Sequence, residues 1–206
     1  MQKTKHILTR NFRNRYKIYN FARQFIPNNP QVNDPSLLER LKEERAGGTV
    51  EVHIKNSQND LDEVISQIIK ARNDGNIGIL LSKTSDVDYY SKYLDGNEIE
   101  HSAYHSRIDY KKKRNTERNL KNILITTFKS AKGLEFDTVI MPKLENSNDD
   151  NNEFYVGATR AKTYLYLLSA NGLPSVLNEF KTDTYTTKSE AETINISSED
   201  DDALPF

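Results

Sequence analysis

Two short runs constrain this chain more than any other feature. Ile77-Gly78-Ile79-Leu80-Leu81 carries no polar side chain, and Ile123-Leu124-Ile125-Thr126-Thr127 carries none before its last two positions. A strand with one wet face alternates polar and apolar residues. An unbroken apolar run of this length instead suits a strand buried on both faces, as in parallel sheets covered by helices. The segments between supply the helices. Leu61, Val64, Ile65, Ile68 and Ile69 form an apolar stripe at helical spacing, with Asn59 or Asp60 placed to cap it and Gly75 to stop it. Residues 86–94 read as a second helix ended by Gly96, and 36–45 as a short charged one after a loop rich in Asn and Pro. Residues 50–54, 99–103, 138–141 and 164–168 read as further strands. The alternation predicts one α/β domain over residues 1–180, a parallel sheet with helices on both faces.

Composition narrows the function classes. The chain has no cysteine, which excludes a disulfide framework, thiol catalysis and thiolate metal sites. No apolar run approaches the roughly 18–20 residues of a membrane span, and no secretory signal opens the chain, so a cytoplasmic protein without a membrane role is expected. The net charge of −1 is unevenly spread: residues 171–206 hold two lysines against eight acidic residues, leaving the body mildly basic. Residues 181–206, Thr-, Ser- and acid-rich with few apolar anchors, read as a disordered acidic tail.

Two segments carry candidate chemistry. After the strand ending at Thr127 comes a polar loop, Lys129-Ser130-Ala131-Lys132-Gly133-Leu134-Glu135. Loops at the carboxyl ends of parallel strands are where open α/β sheets bind ligands. Thr127, Lys129 and Lys132 suit phosphates there, and Glu135 suits a ribose hydroxyl; a solvated turn between strands is the plainer alternative. In Glu153-Phe154-Tyr155-Val156-Gly157-Ala158-Thr159-Arg160, the small Gly157 and Ala158 leave room for another backbone or a ligand. Arg160 there could stabilise charge developing on a neighbouring domain's phosphates, or could simply be a surface arginine. His101 and His105 lack a third ligand nearby, so a zinc site is not expected. The phosphate loop Gly-x-x-x-x-Gly-Lys-[Ser/Thr] does not occur in the chain.

Together these segments resemble motifs V and VI of the UvrD/Rep-type superfamily 1 DNA helicases. Leu8-Thr9-Arg10-Asn11-Phe12-Arg13 resembles their motif IV, in the same order. The resemblance covers residues 6–170. It implies the second RecA-like motor domain of an ATP-dependent helicase, without the first motor domain, which supplies the phosphate loop, the Mg²⁺ ligands and the catalytic carboxylate. By the same resemblance Arg13 and Arg160 are arginine fingers on the γ-phosphate of ATP, Glu135 contacts the ribose, Phe12 stacks on adenine and Gly133 allows close approach. Thr127, Lys129 and Ser130 lie on single-stranded DNA, and translocation runs 3′ to 5′. Taken alone, the chain should not hydrolyse ATP. The alternative is a non-catalytic helicase-like DNA-binding or regulatory module; a domain from a helicase–nuclease is a third reading.

The departures are informative. Lys129 replaces the family's His in motif V and Phe12 its Tyr in motif IV, while a Glu-Glu-x-Arg-Arg lead is replaced by residues 149–153. Only about 20 residues join Ala103 to Ile123, so the large accessory insertion of UvrD and Rep is absent. In its place lies a basic stretch that includes Lys111 and Lys112, near Tyr104 and Tyr110, a composition suited to single-stranded DNA. The final residues, with Asp201 and Asp202 before Leu204-Pro205-Phe206, resemble the tip of bacterial single-stranded-DNA-binding proteins. That resemblance implies docking onto the proteins that bind such tips; a solubilising acidic run is the simpler alternative.

Overall fold

In the computed structural model, which describes residues 13–107, 120–146 and 151–189, the apolar runs pair with one another in parallel. Phe12, Lys111, Lys112, Asp201, Asp202, Leu204, Pro205 and Phe206 lie outside the described residues, as does the acidic stretch from residue 190. Seven strands are described: β1 (Thr49–Lys55), β2 (Ile77–Leu81), β3 (Ser102–Ala103), β4 (Ile123–Thr127), β5 (Phe136–Met141), β6 (Ala161–Ala170) and β7 (Thr186–Lys188). They form one sheet in the order β3-β4-β2-β5-β6-β1-β7, parallel at every pairing. Every residue of β2 and β4 is buried, as the unbroken runs require.

Helices cover both faces. On one, α1 (Tyr16–Ala22) and α5 (Asn151–Ala158) bury Ile18, Phe21 and Phe154 with Leu80, Val139 and Met141. On the other, α3 (Gln58–Ala71) and α4 (Thr84–Gly96) bury Leu61, Ile65, Val87 and Leu94 with Ile77, Ile79, Leu81 and Ile140. Alternate strand residues thus feed opposite layers. Each fully buried Leu or Ile stabilises by roughly 1.5–3 kcal/mol, so the side chains facing α3 and α4 are ample to hold those helices down. The remaining helix, α2 (Pro35–Glu44), is capped by Asp34, whose carboxylate accepts from the Ser36 N–H at 2.9 Å.

Several local details differ from the sequence expectation. Ser57, not Asn59 or Asp60, caps α3: its Oγ accepts from the Asp60 N–H at 3.2 Å and donates to the Asp60 carboxylate at 2.6 Å. The strand expected at 99–103 shrinks to two residues, because the Ile99 N–H is spent on Leu94 O in closing α4. β6 runs ten residues, since β5 and β1 pair it from both sides. The sheet also continues past residue 180: β7 pairs with β1, matching Glu51 to Thr186 and His53 to Lys188. Its β-branched threonines suit an edge strand, a signal hidden by the polar composition around them.

Gly157 has a different task from the one expected. A Cβ there would lie 2.7 Å from Cδ1 of Phe128, a ring that is almost fully buried, so the room at Gly157 admits this side chain and not a ligand. Gly157→Ala gains about 1 kcal/mol of helix propensity but overpacks the ring by roughly 1–3 kcal/mol. A net loss near 1 kcal/mol is expected, read as a lower urea midpoint at unchanged slope. An unchanged or raised midpoint would show that the ring yields freely.

Candidate functional site

Because every strand is parallel, the sheet has one rim of strand starts and one of strand ends. The loop from Thr127 to Glu135 joins the two. Ile123 and Thr138 both stand opposite Ile77, so Thr127 lies four residues toward the carboxyl rim and Glu135 three toward the amino rim. At about 3.3 Å per residue they are separated by roughly 20 Å along the strands. This corrects the expectation of a single ligand loop at the carboxyl end: Glu135 belongs to the other rim.

At the amino rim the structure brings together Arg13, Glu135 and Arg160. The Arg13 Nε–H donates to Glu135 Oε1 at 2.8 Å, with both side chains about a third exposed (32% and 40%). Arg160 is 8% exposed; its Nε–H donates to Val156 O at 3.0 Å and its Nη1–H to Leu134 O at 3.3 Å. A guanidinium has five N–H donors, so three remain without a hydrogen bond to the described residues. The Arg13 hydrogen bond holds the Glu135 carboxyl below its ordinary range, against a smaller opposing effect of burial, with Lys162 and Arg160 adding to the depression. Burial lowers the Arg160 pKa, and the like charge of Arg13 lowers it further, while Glu135 opposes both. Burial also raises the Tyr155 hydroxyl, against the opposing effects of the neighbouring Tyr19, Arg160 and Arg13.

Three residues that sequence reasoning missed assemble this rim. Asn14 is almost fully buried, and its Nδ2 donates to Thr159 O at 3.0 Å and Ala161 O at 2.5 Å, the carbonyls on either side of Arg160. The Asn76 side chain donates to Glu135 O at 3.2 Å and accepts from the Asp137 N–H at 2.7 Å, fixing the start of β5. Lys162 pairs with Asp137 at 3.6 Å. No spacing marks these residues, because each acts on carbonyls or strands distant in sequence. Arg160 does not face an open cleft, as a solvent-exposed finger would. Removing it strands the Leu134 carbonyl, a cost of about 1–3 kcal/mol if it stays dry, while Val156 O keeps the Thr159 hydroxyl at 3.1 Å.

At the carboxyl rim, Thr127 Oγ1 accepts from the Ser130 N–H at 3.2 Å and donates to Ser130 Oγ at 3.1 Å, folding the loop into a tight turn. Gly133 leaves that turn at φ +89°, and the space beside its Cα is open, so backbone conformation is what requires glycine there. Lys129 is 80% exposed and its Nζ lies 3.0 Å from Glu153 in the first turn of α5. Lys83, which follows β2 and precedes α4, stands on the same rim. His101 and His105 serve separate partners, Ser91 Oγ at 2.9 Å and Asp88 Oδ1 at 3.4 Å. No helix among the described residues is long and apolar enough to cross a membrane.

Residues 105–172 match the family described as the UvrD-like helicase C-terminal domain. A 64-residue stretch is 41% identical to the RecBCD enzyme subunit RecB of Chlamydia pneumoniae, covering 28% of this chain but only 6% of that subunit's length. Among solved structures, the C-terminal domain of a possible DNA helicase from Lactobacillus plantarum WCFS1 superposes with a TM-score of 0.64 at 19% identity, covering 86% of this chain and 99% of that one. The C-terminal domain of the DEAD-box protein Dbp5 gives 0.56 at 16% identity, over 71% and 92% respectively. These likenesses show a RecA-like α/β fold.

The Arg13–Glu135 pair has a pH signature. A carboxyl depressed in the fold contributes stability that is complete above its ordinary value of 4.5 and is lost as pH falls through the folded value. Arg13→Gln should therefore move the Glu135 titration, followed by carboxyl NMR, up toward 4.5. The stability gap between the two proteins should be full at neutral pH and shrink below about 4.5. Identical titrations in both would mean the pair does not form in solution.

Proposed function

We propose that this chain, whose residues 105–172 match the UvrD-like helicase C-terminal domain, is the second motor domain of an ATP-dependent DNA helicase. The observation that carries the reading is the division of the loop from Thr127 to Glu135 between two rims. One gathers two arginines around a carboxylate; the other presents an exposed lysine on a tight hydroxyl turn. The amino rim then faces the first motor domain, which supplies the phosphate loop and the Mg²⁺ ligands. Arg13 and Arg160 reach the γ-phosphate as arginine fingers, where their charge stabilises the transition state. Glu135 fits a ribose hydroxyl with the lone pairs that Arg13 leaves over. ATP and Mg²⁺ supply the phosphoryl chemistry; this chain's part is to place positive charge and to hold it still through Asn14.

On the same reading, Phe12 stacks on the adenine by its position in the motif, and the carboxyl rim tracks single-stranded DNA through Thr127, Ser130 and Lys129, with Lys111 and Lys112 assigned by their place in the basic stretch. A cytoplasmic enzyme translocating 3′ to 5′ fits this assignment. The Lys129–Glu153 ion pair is an exposed one, worth at most about 1 kcal/mol, so a phosphate can displace the carboxylate.

The test is kinetic and uses the complete enzyme. Arg13→Gln and Arg160→Ala, assayed where circular dichroism shows each variant folded, should lower ATP turnover several hundred-fold or more, toward the roughly 10³–10⁵ of arginine fingers. ATP affinity should fall much less, because the charge acts where the transition state develops. Lys129→Ala should leave basal turnover alone and weaken single-stranded DNA binding, flattening the salt dependence by about 0.7 in logarithmic slope. Turnover within twofold of wild type for both arginine variants would overturn the assignment.

A further inference from the structure

A groove of about 980 Å³ opens between the turn of 3-10 helix at Arg23–Phe25, the start of α5 and the segment that follows β6. It lies at the carboxyl rim, where β6 ends and α5 begins. Its size is that of a site for a short peptide or small ligand. Val176 and the exposed edge of Phe180, over the buried Phe154, supply apolar surface, and Arg23 and Lys181 supply positive charge against one carboxylate, Glu179. The Arg23 guanidinium is held by neutral amide oxygens, Asn20 Oδ1 at 2.9 Å and Asn33 Oδ1 at 3.0 Å. Neither Arg23 nor Lys181 forms an ion pair with a carboxylate among the described residues. An apolar floor beside two cations without carboxylate partners calls for an occupant that is acidic and then apolar.

We propose that this groove is a peptide-docking surface and that its occupant is the chain's own segment 199–206. That segment has the required order: Glu199-Asp200-Asp201-Asp202, then Ala203-Leu204-Pro205-Phe206, with no basic residue after Lys188. The geometry allows it. Lys188, level with His53 near the end of β1, leaves the sheet at the same rim as the groove. The sixteen residues from Ser189 to Leu204 reach about 50 Å when extended, farther than the roughly 35–40 Å width of a domain this size. Tethering raises the local concentration of the segment to about the millimolar range, so a contact too weak to persist between separate molecules suffices. In this docking the Phe206 ring would pack on Val176 and the exposed edge of Phe180, and the acidic run would lie by Arg23 and Lys181. The docking is independent of the DNA assignment above.

The absence of cysteine makes the test direct. A nitroxide on Ala203→Cys of the full ¹⁵N-labelled chain should selectively broaden the backbone amides of Val176, Phe180 and Lys181. At least half of that broadening should vanish with Phe206→Ser, and likewise with Lys181→Glu, an exposed substitution that leaves the amide spectrum otherwise in place. Unlabelled ¹⁵N chain mixed with spin-labelled ¹⁴N chain should show little broadening. Absent or uniform broadening, or broadening that survives both substitutions, would overturn the proposal. Equal broadening in the mixture would also overturn it, since the occupant would then be a second copy's segment.

Discussion

The site depends on one buried amide. Asn14 spends both Nδ2 hydrogens on the carbonyls flanking Arg160, and the next residue, Arg15, donates its N–H to Lys162 O at 3.0 Å. These bonds tie the front of the chain to the entrance of β6 and set Arg13 beside Arg160. Two like charges held close would oppose the fold, and Glu135 between them relieves that opposition. The arrangement is fixed before any ligand arrives, which is what electrostatic stabilisation of a transition state requires.

The parallel sheet then determines what the two rims can share. A loop that leaves one strand's end and enters the next strand's start must travel the length of the sheet, so its residues cannot all meet one ligand. Thr127, Lys129 and Ser130 stay at one rim while Glu135 arrives at the other. Helix α5 covers much of the same crossing in eight residues, about 12 Å, from near the Lys129–Glu153 pair toward the turn that holds Arg160. The ring of Phe128 lodged against Gly157 couples both crossings, so the turn and the helix cannot shift separately. On the proposed function, such a rigid link would let a change at a nucleotide on one rim be felt at a strand of DNA on the other.

Much of this was readable in the residues themselves. Unbroken apolar runs and helical stripes marked β2, β4, α3 and α4, because burial acts on side chains in a regular period. The motif residues Arg13, Glu135 and Arg160 were picked out by order along the chain. What stayed hidden depends on partners far away in sequence. Asn14 looks like any polar residue until its carbonyl partners at 159 and 161 are known. The burial of Arg160 follows from Val156 and Leu134 carbonyls that no spacing rule names. β7 was masked because three threonine- and lysine-bearing positions pair only when β1 offers an edge.

The division of labour between the rims is the central claim, and a residue-resolved titration tests it most directly. The ¹⁵N-labelled chain would be titrated with single-stranded oligothymidylate at low salt while the amide shifts of both rims are followed. Shifts confined to Lys83, Thr127, Lys129 and Ser130, with Asn14, Glu135 and Arg160 unmoved, are the predicted result. Shifts concentrated on Arg13, Glu135 and Arg160 would place DNA on the amino rim and contradict the assignment of that rim to the nucleotide.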